Sequence, residues 1–280
     1  VICNTIELDK PIKVDPFLRW VGGKRWFVKH YSDFLPNKYN RYIEPFLGSG
    51  SVYFHLQPKQ AILGDINEEL IITYIAIRDN WKLVEEKLIC HKKKHDDDEN
   101  YYYEIRKSKP INPFDRAARF IYLNRTCFNG IYRVNKKGEF NVPKGTRNSV
   151  IFETDDFESV SNVLSTAEIY AIDFETLIDQ SGPDDLVFAD PPYTVRHNQN
   201  GFIKYNEKLF SWNDQIRLAN ALERAAKRGS KIISTNANHE SIRDLYFEKG
   251  FRIETISRYS SICANPNKRN RFEEVVILNK

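Results

Sequence analysis

Short apolar runs and helical stripes alternate along most of the chain. Tyr42-Ile43 enters Glu44-Pro45-Phe46-Leu47-Gly48-Ser49-Gly50, the pattern of a strand running into a glycine turn, and a helix opens near Ser51. A second strand, over 60–64, ends in Asp65; a strand over 168–172 runs into Asp173-Phe174-Glu175. The run Leu186-Val187-Phe188-Ala189 has the length of a buried strand and ends in Asp190-Pro191-Pro192-Tyr193. Helical spacing is carried by Leu70, Ile71, Tyr74 and Ile75, behind an Asn67 cap with Glu68 and Glu69 in the first turn. It returns over 113–123 through Phe114, Ala117, Ala118, Ile121 and Tyr122. A further helix runs from an Asn213 cap through Ile216, Ala219, Leu222 and Ala226 to a stop at Gly229. A strand over 231–234, a helix over 239–249 and strands over 251–258 and 273–279 complete the pattern, the last two reading as a terminal antiparallel hairpin.

Two stretches break this pattern. Residues 91–100, His-Lys-Lys-Lys-His-Asp-Asp-Asp-Glu-Asn, contain no apolar member and read as a solvated loop or helix end. His91 and His95 stand four apart, as a metal pair would on a helix, but nothing else in the chain completes a metal centre, and no metal is expected. Residues 194–211 are polar and aromatic without period, the composition of a loop on the substrate side.

The chemistry concentrates where strands end. A strand, glycine turn and helix form the first βα unit of a nucleotide-binding fold, and in open α/β sheets ligands bind at the C-terminal ends of strands. The 44–50 turn lacks the third glycine of the dinucleotide fingerprint, which suits a ligand with an adenosine but no pyrophosphate. Asp65 is placed to accept from ribose hydroxyls, since Asn67 is the better cap for the following helix. Asp173 suits either an adenine amino group, with Phe174 against the ring, or a helix cap. In Asp190-Pro191-Pro192-Tyr193 the prolines remove two N–H donors and leave nearby carbonyls free to accept from a ligand. A carboxylate, a stiff carbonyl and an aromatic ring together suit a flat amine; the plain alternative is a Pro-rich turn capped by Asp190. Upstream, Trp20-Val21-Gly22-Gly23-Lys24 reads as a tight turn opening a helix, with Trp20 as a stacking surface and Lys24 as a charge for a carboxylate.

Over 131–142 two strand-like stretches joined by Lys136-Lys137-Gly138 predict a β-hairpin. Six Lys or Arg lie between Arg125 and Arg147 inclusive, against the single acid Glu139, a charge excess expected where a hairpin meets phosphates. Phe128 and Asn129 fit a wedge and a base-edge contact, and Arg133 a guanine reader. Lys136, Lys137, Arg125 and Arg147 are the phosphate candidates.

Composition adds less. The chain has 280 residues, 41% hydrophobic and 29% charged, enough for a sizeable core in one or two domains. A net charge of +4 is mild, so the distribution of charge matters more than its total. The four cysteines lack CxxC spacing, which argues against a zinc ribbon or a disulfide framework and fits a reducing cytoplasm. No apolar run approaches membrane-spanning length, and no signal-peptide core is evident. The sequence contains no Met, so its numbering need not start at a first codon.

Taken together, Trp-Val-Gly-Gly-Lys, Glu-Pro-Phe-Leu-Gly-Ser-Gly, Asp65, Asn-Gly-Ile-Tyr-Arg-Val-Asn with Glu-Phe-Asn-Val-Pro, and Asp-Pro-Pro-Tyr closely resemble the Dam-type DNA adenine-N6 methyltransferases of bacteria and phages. The likeness runs from about Phe17 to Ile277. It implies an α/β, Rossmann-like S-adenosylmethionine-dependent methyltransferase fold, with a mostly parallel seven-stranded sheet and a terminal β-hairpin. A catalytic domain over 1–80 and 166–280 would carry an inserted helical and hairpin DNA-recognition domain over 81–165. It implies S-adenosylmethionine as cofactor, without metal. By position Trp20, Lys24, Asp65 and Asp190 match cofactor contacts, joined by Gly22, Gly23, Glu44, Pro45, Phe46, Gly48 and Gly50 around the turns and by Asp173 and Phe174 at the adenine. Asp190, Pro191, Pro192 and Tyr193 would be catalytic, Phe128 would intrude where the target base leaves the stack, and Arg133 would read guanine. The implied partner is double-stranded DNA, with GATC as target and GATATC-like sites as the longer alternative, in a monomer, or alternatively a dimer, that works alone or beside a restriction endonuclease. An N4-cytosine methyltransferase and a DNA-binding module with decayed activity are the competing readings.

Overall fold

The structure, a computed structural model, describes residues 13–135, 137–194, 210–259 and 271–279. A seven-stranded sheet organises the molecule, in the order β3-β2-β1-β4-β5-β7-β6. Its strands are β1 (Tyr42–Glu44), β2 (Ala61–Asp65), β3 (Ala167–Ala171), β4 (Leu186–Ala189), β5 (Lys231–Ala237), β6 (Arg252–Tyr259) and β7 (Arg271–Leu278). The pairs β1–β2, β2–β3, β1–β4 and β4–β5 are parallel, whereas β7 runs antiparallel between β5 and β6. The mostly parallel sheet with a reversed terminal hairpin is the fold the sequence implied.

Side chains on successive strand positions enter opposite faces. Tyr42, Leu63, Phe188, Ile233 and Val276 join one core; Ile43, Ile62, Val187, Ile232 and Ile277 join the other. The first core is covered by α1 (Arg25–Tyr31), α2 (Ser51–Leu56), α3 (Glu68–Asp97), α4 (Tyr101–Lys107), α5 (Pro113–Thr126) and α6 (Phe157–Leu164). The second is covered by α7 (Phe174–Ile178), α8 (Trp212–Lys227) and α9 (Glu240–Phe247).

Local signals fix several boundaries. Asn67 caps α3 by accepting from Leu70 N at 3.2 Å, and Asn112 caps α5 just before Pro113. The cap of α8 is Ser211, not Asn213: Ser211 and Asp214 form a reciprocal capping box, which starts the helix two residues earlier than the Asn213 reading requires. Of the two readings of this stretch, residues 91–97 take the helix end: they are the last turns of α3, and His91 and His95 bind the hydroxyls of Tyr101 and Tyr122 at 2.7 and 2.8 Å and so tie a highly charged turn to the neighbouring helices. Within α3 the backbone breaks at Asn80 (φ −158°, ψ 76°), whose side chain accepts from Leu83 N and restarts the helix.

The hairpin is minimal. One bridge, Val134 to Phe140, is flanked by Asn135 N to Glu139 O (2.8 Å) and Asn141 N to Arg133 O (3.2 Å). Lys136 lies outside the described residues, as does most of the loop expected over 194–211.

Candidate active site

The strand order reverses between β1 and β4, and a crevice at their C-terminal ends is where this architecture accepts ligands. The glycine turn follows β1, Asp65 closes β2, and Asp190 follows β4. Asp190, Pro191, Pro192, Tyr193, Lys24, Gly48 and Asp65 therefore gather at one edge although they come from distant parts of the chain.

Asp190 Oδ1 is held twice, by Lys24 Nζ at 2.8 Å and by Thr235 Oγ1 at 2.6 Å. Among the described residues Oδ2 and the Pro191 carbonyl have no partner. Lys24 is buried, donates to the Gly22 carbonyl at 3.0 Å and lies 5.1 Å from the centre of the Tyr193 ring. The Tyr193 hydroxyl donates to Glu274 Oε2 at 2.5 Å, and that carboxylate is 3.8 Å from Lys24 Nζ. Burial, with the charges of Asp190 and Glu274, pushes the phenol well above its ordinary range, so it is a donor throughout the neutral range. Thr235 and Glu274 carry no motif. Their one signal is a polar side chain at a core-facing strand position, Thr235 in step with Ile233 and Glu274 in step with Val276.

Around the glycine turn, Asp65 accepts from Gly48 N at 3.1 Å and Asn67 N at 3.0 Å, and burial raises its carboxyl to about 6 against those bonds. Gly48 sits at φ +48°, and a Cβ there would meet Trp20 Cδ1 at 2.6 Å, so only glycine lets the indole lie over this turn. Trp20 in turn stacks near Tyr132 and Phe120 at 6.0 and 6.4 Å. A pocket of ≈ 250 Å³ beside the turn is lined by Leu18, Arg19, Trp20, Gly23, Arg25 and Ser49. Glu44 is buried beneath the turn, accepting from the Tyr42 hydroxyl at 2.8 Å, and burial drives its carboxyl strongly upward. Pro45 is also buried; Phe46 is partly exposed and stacks on Phe174 at 5.3 Å.

Asp173 is a helix cap: it accepts from Glu175 N at 3.0 Å and from Arg217 Nη2 at 2.8 Å. Phe174 is 6% exposed and lies behind Phe46, so Phe46, not Phe174, presents the accessible ring. Ile66, next to Asp65, is an exposed apolar side chain that the sequence reading passed over.

The basic segment divides. Phe128 is half exposed, and Asn129 beside it takes φ +56°. Arg133, Lys137 and Arg147 are exposed, Arg133 resting on Asn141 Oδ1 at 3.0 Å. Arg125 is a correction: it is 0% exposed and pairs with both oxygens of Asp155 at 2.6 and 2.7 Å, while its guanidinium also donates to the Phe17 and Val150 carbonyls. A charge so enclosed cannot meet a phosphate; it ties α5 to the 150–155 turn and to the Phe17 segment. Asn124, also buried, exchanges bonds with the backbone of Arg19 at 2.9 and 2.8 Å and so fixes the Trp20 turn to the Phe128 segment.

The described residues include no group of three His, Cys, Asp or Glu that could hold a metal and no helix long and apolar enough to cross a membrane. Residues 20–262 match the family model of the D12 class N6 adenine-specific DNA methyltransferases. The chain is 33% identical to the type II methyltransferase M1.LlaDCHI of Lactococcus lactis, over 99% of both chains. It is 35% identical to the type II methyltransferase M.MjaIII of Methanocaldococcus jannaschii, over 96% of this chain and 100% of that one. It is 31% identical to a DNA adenine methylase of Haemophilus influenzae, over 97% and 96%.

Proposed function

The chain belongs to the D12 class of N6 adenine-specific DNA methyltransferases, and from that premise we propose that it methylates the adenine of GATC in duplex DNA, using S-adenosylmethionine and holding the target amine on Asp190 Oδ2 and the Pro191 carbonyl. The observation that carries this reading is the asymmetry of Asp190. One oxygen is committed to Lys24 and Thr235; the other, with the neighbouring carbonyl, is left to accept.

The residues at the β1–β4 edge fit an adenosyl group. Asp65 offers a carboxylate oriented by two backbone N–H groups, suited to a ribose diol. Phe46 and Ile66 offer apolar surface beside it, and the side-chain-free Gly48 permits close approach beneath Trp20. Lys24 and Trp20 would border the methionine end; Glu44 and Pro45 support the turn from below, and Phe174 supports Phe46 from behind while Asp173 caps the helix that carries Phe174. When bound, S-adenosylmethionine supplies a methyl group on a good leaving group.

The remaining work falls to the chain's own residues. The adenine N6 lone pair is delocalised into the ring, so the amine is a poor nucleophile. Two acceptors, Asp190 Oδ2 and the Pro191 carbonyl, draw the amino hydrogens out of the ring plane and localise that pair, while Tyr193 stacks on the purine and fixes its angle; positioning and electrostatics supply the acceleration. The amine is reachable only when the base leaves the duplex. Residues 81–165 form the target-recognition unit in this reading: Phe128 fills the space the base vacates, Asn129 contacts a base edge, Arg133 reads guanine, and Lys137 and Arg147 contact phosphate, with Lys136 as a further cation. The relatives' type II names favour a partner restriction endonuclease, and a monomer suffices for this chemistry.

The test is transfer of labelled methyl from S-adenosylmethionine to paired duplexes, one containing GATC and one with its adenine replaced, followed by nucleoside analysis. Label recovered as N6-methyladenine from the intact site alone is expected. Label on neither duplex refutes GATC and points to a longer site; label recovered as N4-methylcytosine refutes the amine assignment.

A further inference from the structure

We propose that Glu274 is a positioning residue for methyl transfer that acts through Tyr193: it anchors the phenol and thereby fixes the ring that receives the extruded adenine. The inference rests on the assignment of Tyr193 to base stacking made above.

Three observations meet at this side chain. Glu274 is deeply buried, with a side chain 6% exposed, where a carboxylate is costly unless its oxygens are engaged. It accepts the Tyr193 hydroxyl at 2.5 Å, and it approaches Lys24 Nζ only to 3.8 Å, whereas Lys24 sits 2.8 Å from Asp190. Lys24 is therefore chiefly the partner of Asp190, and Tyr193 chiefly that of Glu274. The ring is then held through its hydroxyl, by Glu274 with Thr235 also bonded to it, and through its face, by the Lys24 ammonium 5.1 Å away. An aromatic ring with one end free rotates about two side-chain torsions; anchoring its hydroxyl removes most of that freedom before the base arrives.

Sheet topology supplies the anchor. Because β7 is antiparallel, its early residues lie at the C-terminal edge of the parallel strands, and Glu274 pairs with Ala237 at the end of β5. A parallel seventh strand would bring its start to the opposite edge, far from Asp190. Thr235, two residues before Ala237, holds Asp190 from the same strand end.

The experiment is a double-mutant cycle on the full chain, with Glu274→Gln, Tyr193→Phe and the pair, read as single-turnover methylation at saturating duplex and cofactor and as cofactor Kd. Gln is close to isosteric and keeps a neutral acceptor, so the fold is retained, but a charge-assisted bond becomes an ordinary one, which corresponds to about tenfold in rate. The expected result is that loss in the Tyr193 background, an unchanged cofactor Kd, and no further loss when Glu274→Gln is added to Tyr193→Phe. Additive losses overturn the proposal. A second readout does not depend on turnover: with ring-labelled tyrosine, the NMR signal absent from Tyr193→Phe identifies Tyr193, and it should shift and report greater ring mobility in Glu274→Gln. An unmoved signal also overturns the anchor. Wild-type protein inactive on every duplex counts against the function proposed above, and the Tyr193 signal still decides the anchor by itself.

Discussion

Asp190→Asn and Asp190→Ala should separate folding from chemistry. Alanine removes an anion that holds Lys24 Nζ at 2.8 Å and Thr235 Oγ1 at 2.6 Å, and leaves a buried ammonium with the Gly22 carbonyl and, at 3.8 Å, Glu274. Breaking a buried ion pair from one side costs about 3–5 kcal/mol. The Asp190 side chain is 18% exposed and Glu274 takes up part of the charge, which puts the expected loss near the lower end, about 3 kcal/mol, or roughly 6–12 °C in Tm for a chain of this size. Asparagine keeps one oxygen for Lys24 and Thr235 and should cost only about 1 kcal/mol. Its amide nitrogen, however, then points a donor where an amino hydrogen of the target needs an acceptor. Both variants should therefore lose about 10²–10³-fold in rate, the scale of removing one preorganised electrostatic contact. Thermal unfolding and single-turnover methylation at a temperature well below both midpoints make the comparison. An Asn variant within about tenfold of the wild-type rate would refute the assignment of Oδ2 to the target amine.

Further outcomes follow from the same geometry. Asp65 has its carboxyl raised to about 6 by burial, so below that pH it is an acid and a poor acceptor for two ribose hydroxyls; cofactor affinity, measured by calorimetry, should rise with pH through about 6 and level off, and Asp65→Asn should flatten the profile. The sign for folding is opposite: a raised carboxyl favours the folded state most below its ordinary range, and that contribution fades as pH rises through about 6. Arg125→Ala should cost about 3–5 kcal/mol of stability by stranding Asp155, whereas exposed Arg133→Ala should leave Tm in place and lose about 1–3 kcal/mol of discrimination at one guanine. If Arg125→Ala instead left the melting curve unchanged and weakened DNA binding, its structural role would be wrong. Phe128→Ala should suppress the fluorescence rise of 2-aminopurine at the target position while leaving cofactor Kd unchanged; an undiminished rise would remove Phe128 from base extrusion.

Features whose causes are local were legible along the chain. The β4 run, the Asn67 cap, the glycine turn and the placement of Asp65 and Asp190 at strand ends depend on neighbours within a few residues, and the structure has them where the pattern put them. The Ser211 cap was displaced by two residues because Ser211 and Asp214 satisfy each other, a reciprocal geometry that outweighs the single bond an Asn213 cap would make. Composition left residues 91–97 open between a loop and a helix end; they close α3, where two histidines find tyrosine hydroxyls on other helices.

The sequence by itself determined the order of strands and helices, and it placed an acceptor-rich turn, a glycine turn and the acid Asp65 at strand ends, since period, caps and prolines act over a few residues. Tertiary structure alone decided which charges are buried and what they face. Arg125 and Arg133 belong to one basic stretch, yet one is enclosed against Asp155 and the other faces solvent. Glu273 and Glu274 are adjacent acids, and only Glu274 reaches Tyr193 and Lys24. Its partners lie 81 and 250 positions away along the chain, and nothing but the reversal of β7 within the sheet brings them together. Burial and long-range pairing depend on how elements stack, and a count of charges along a segment carries no record of that.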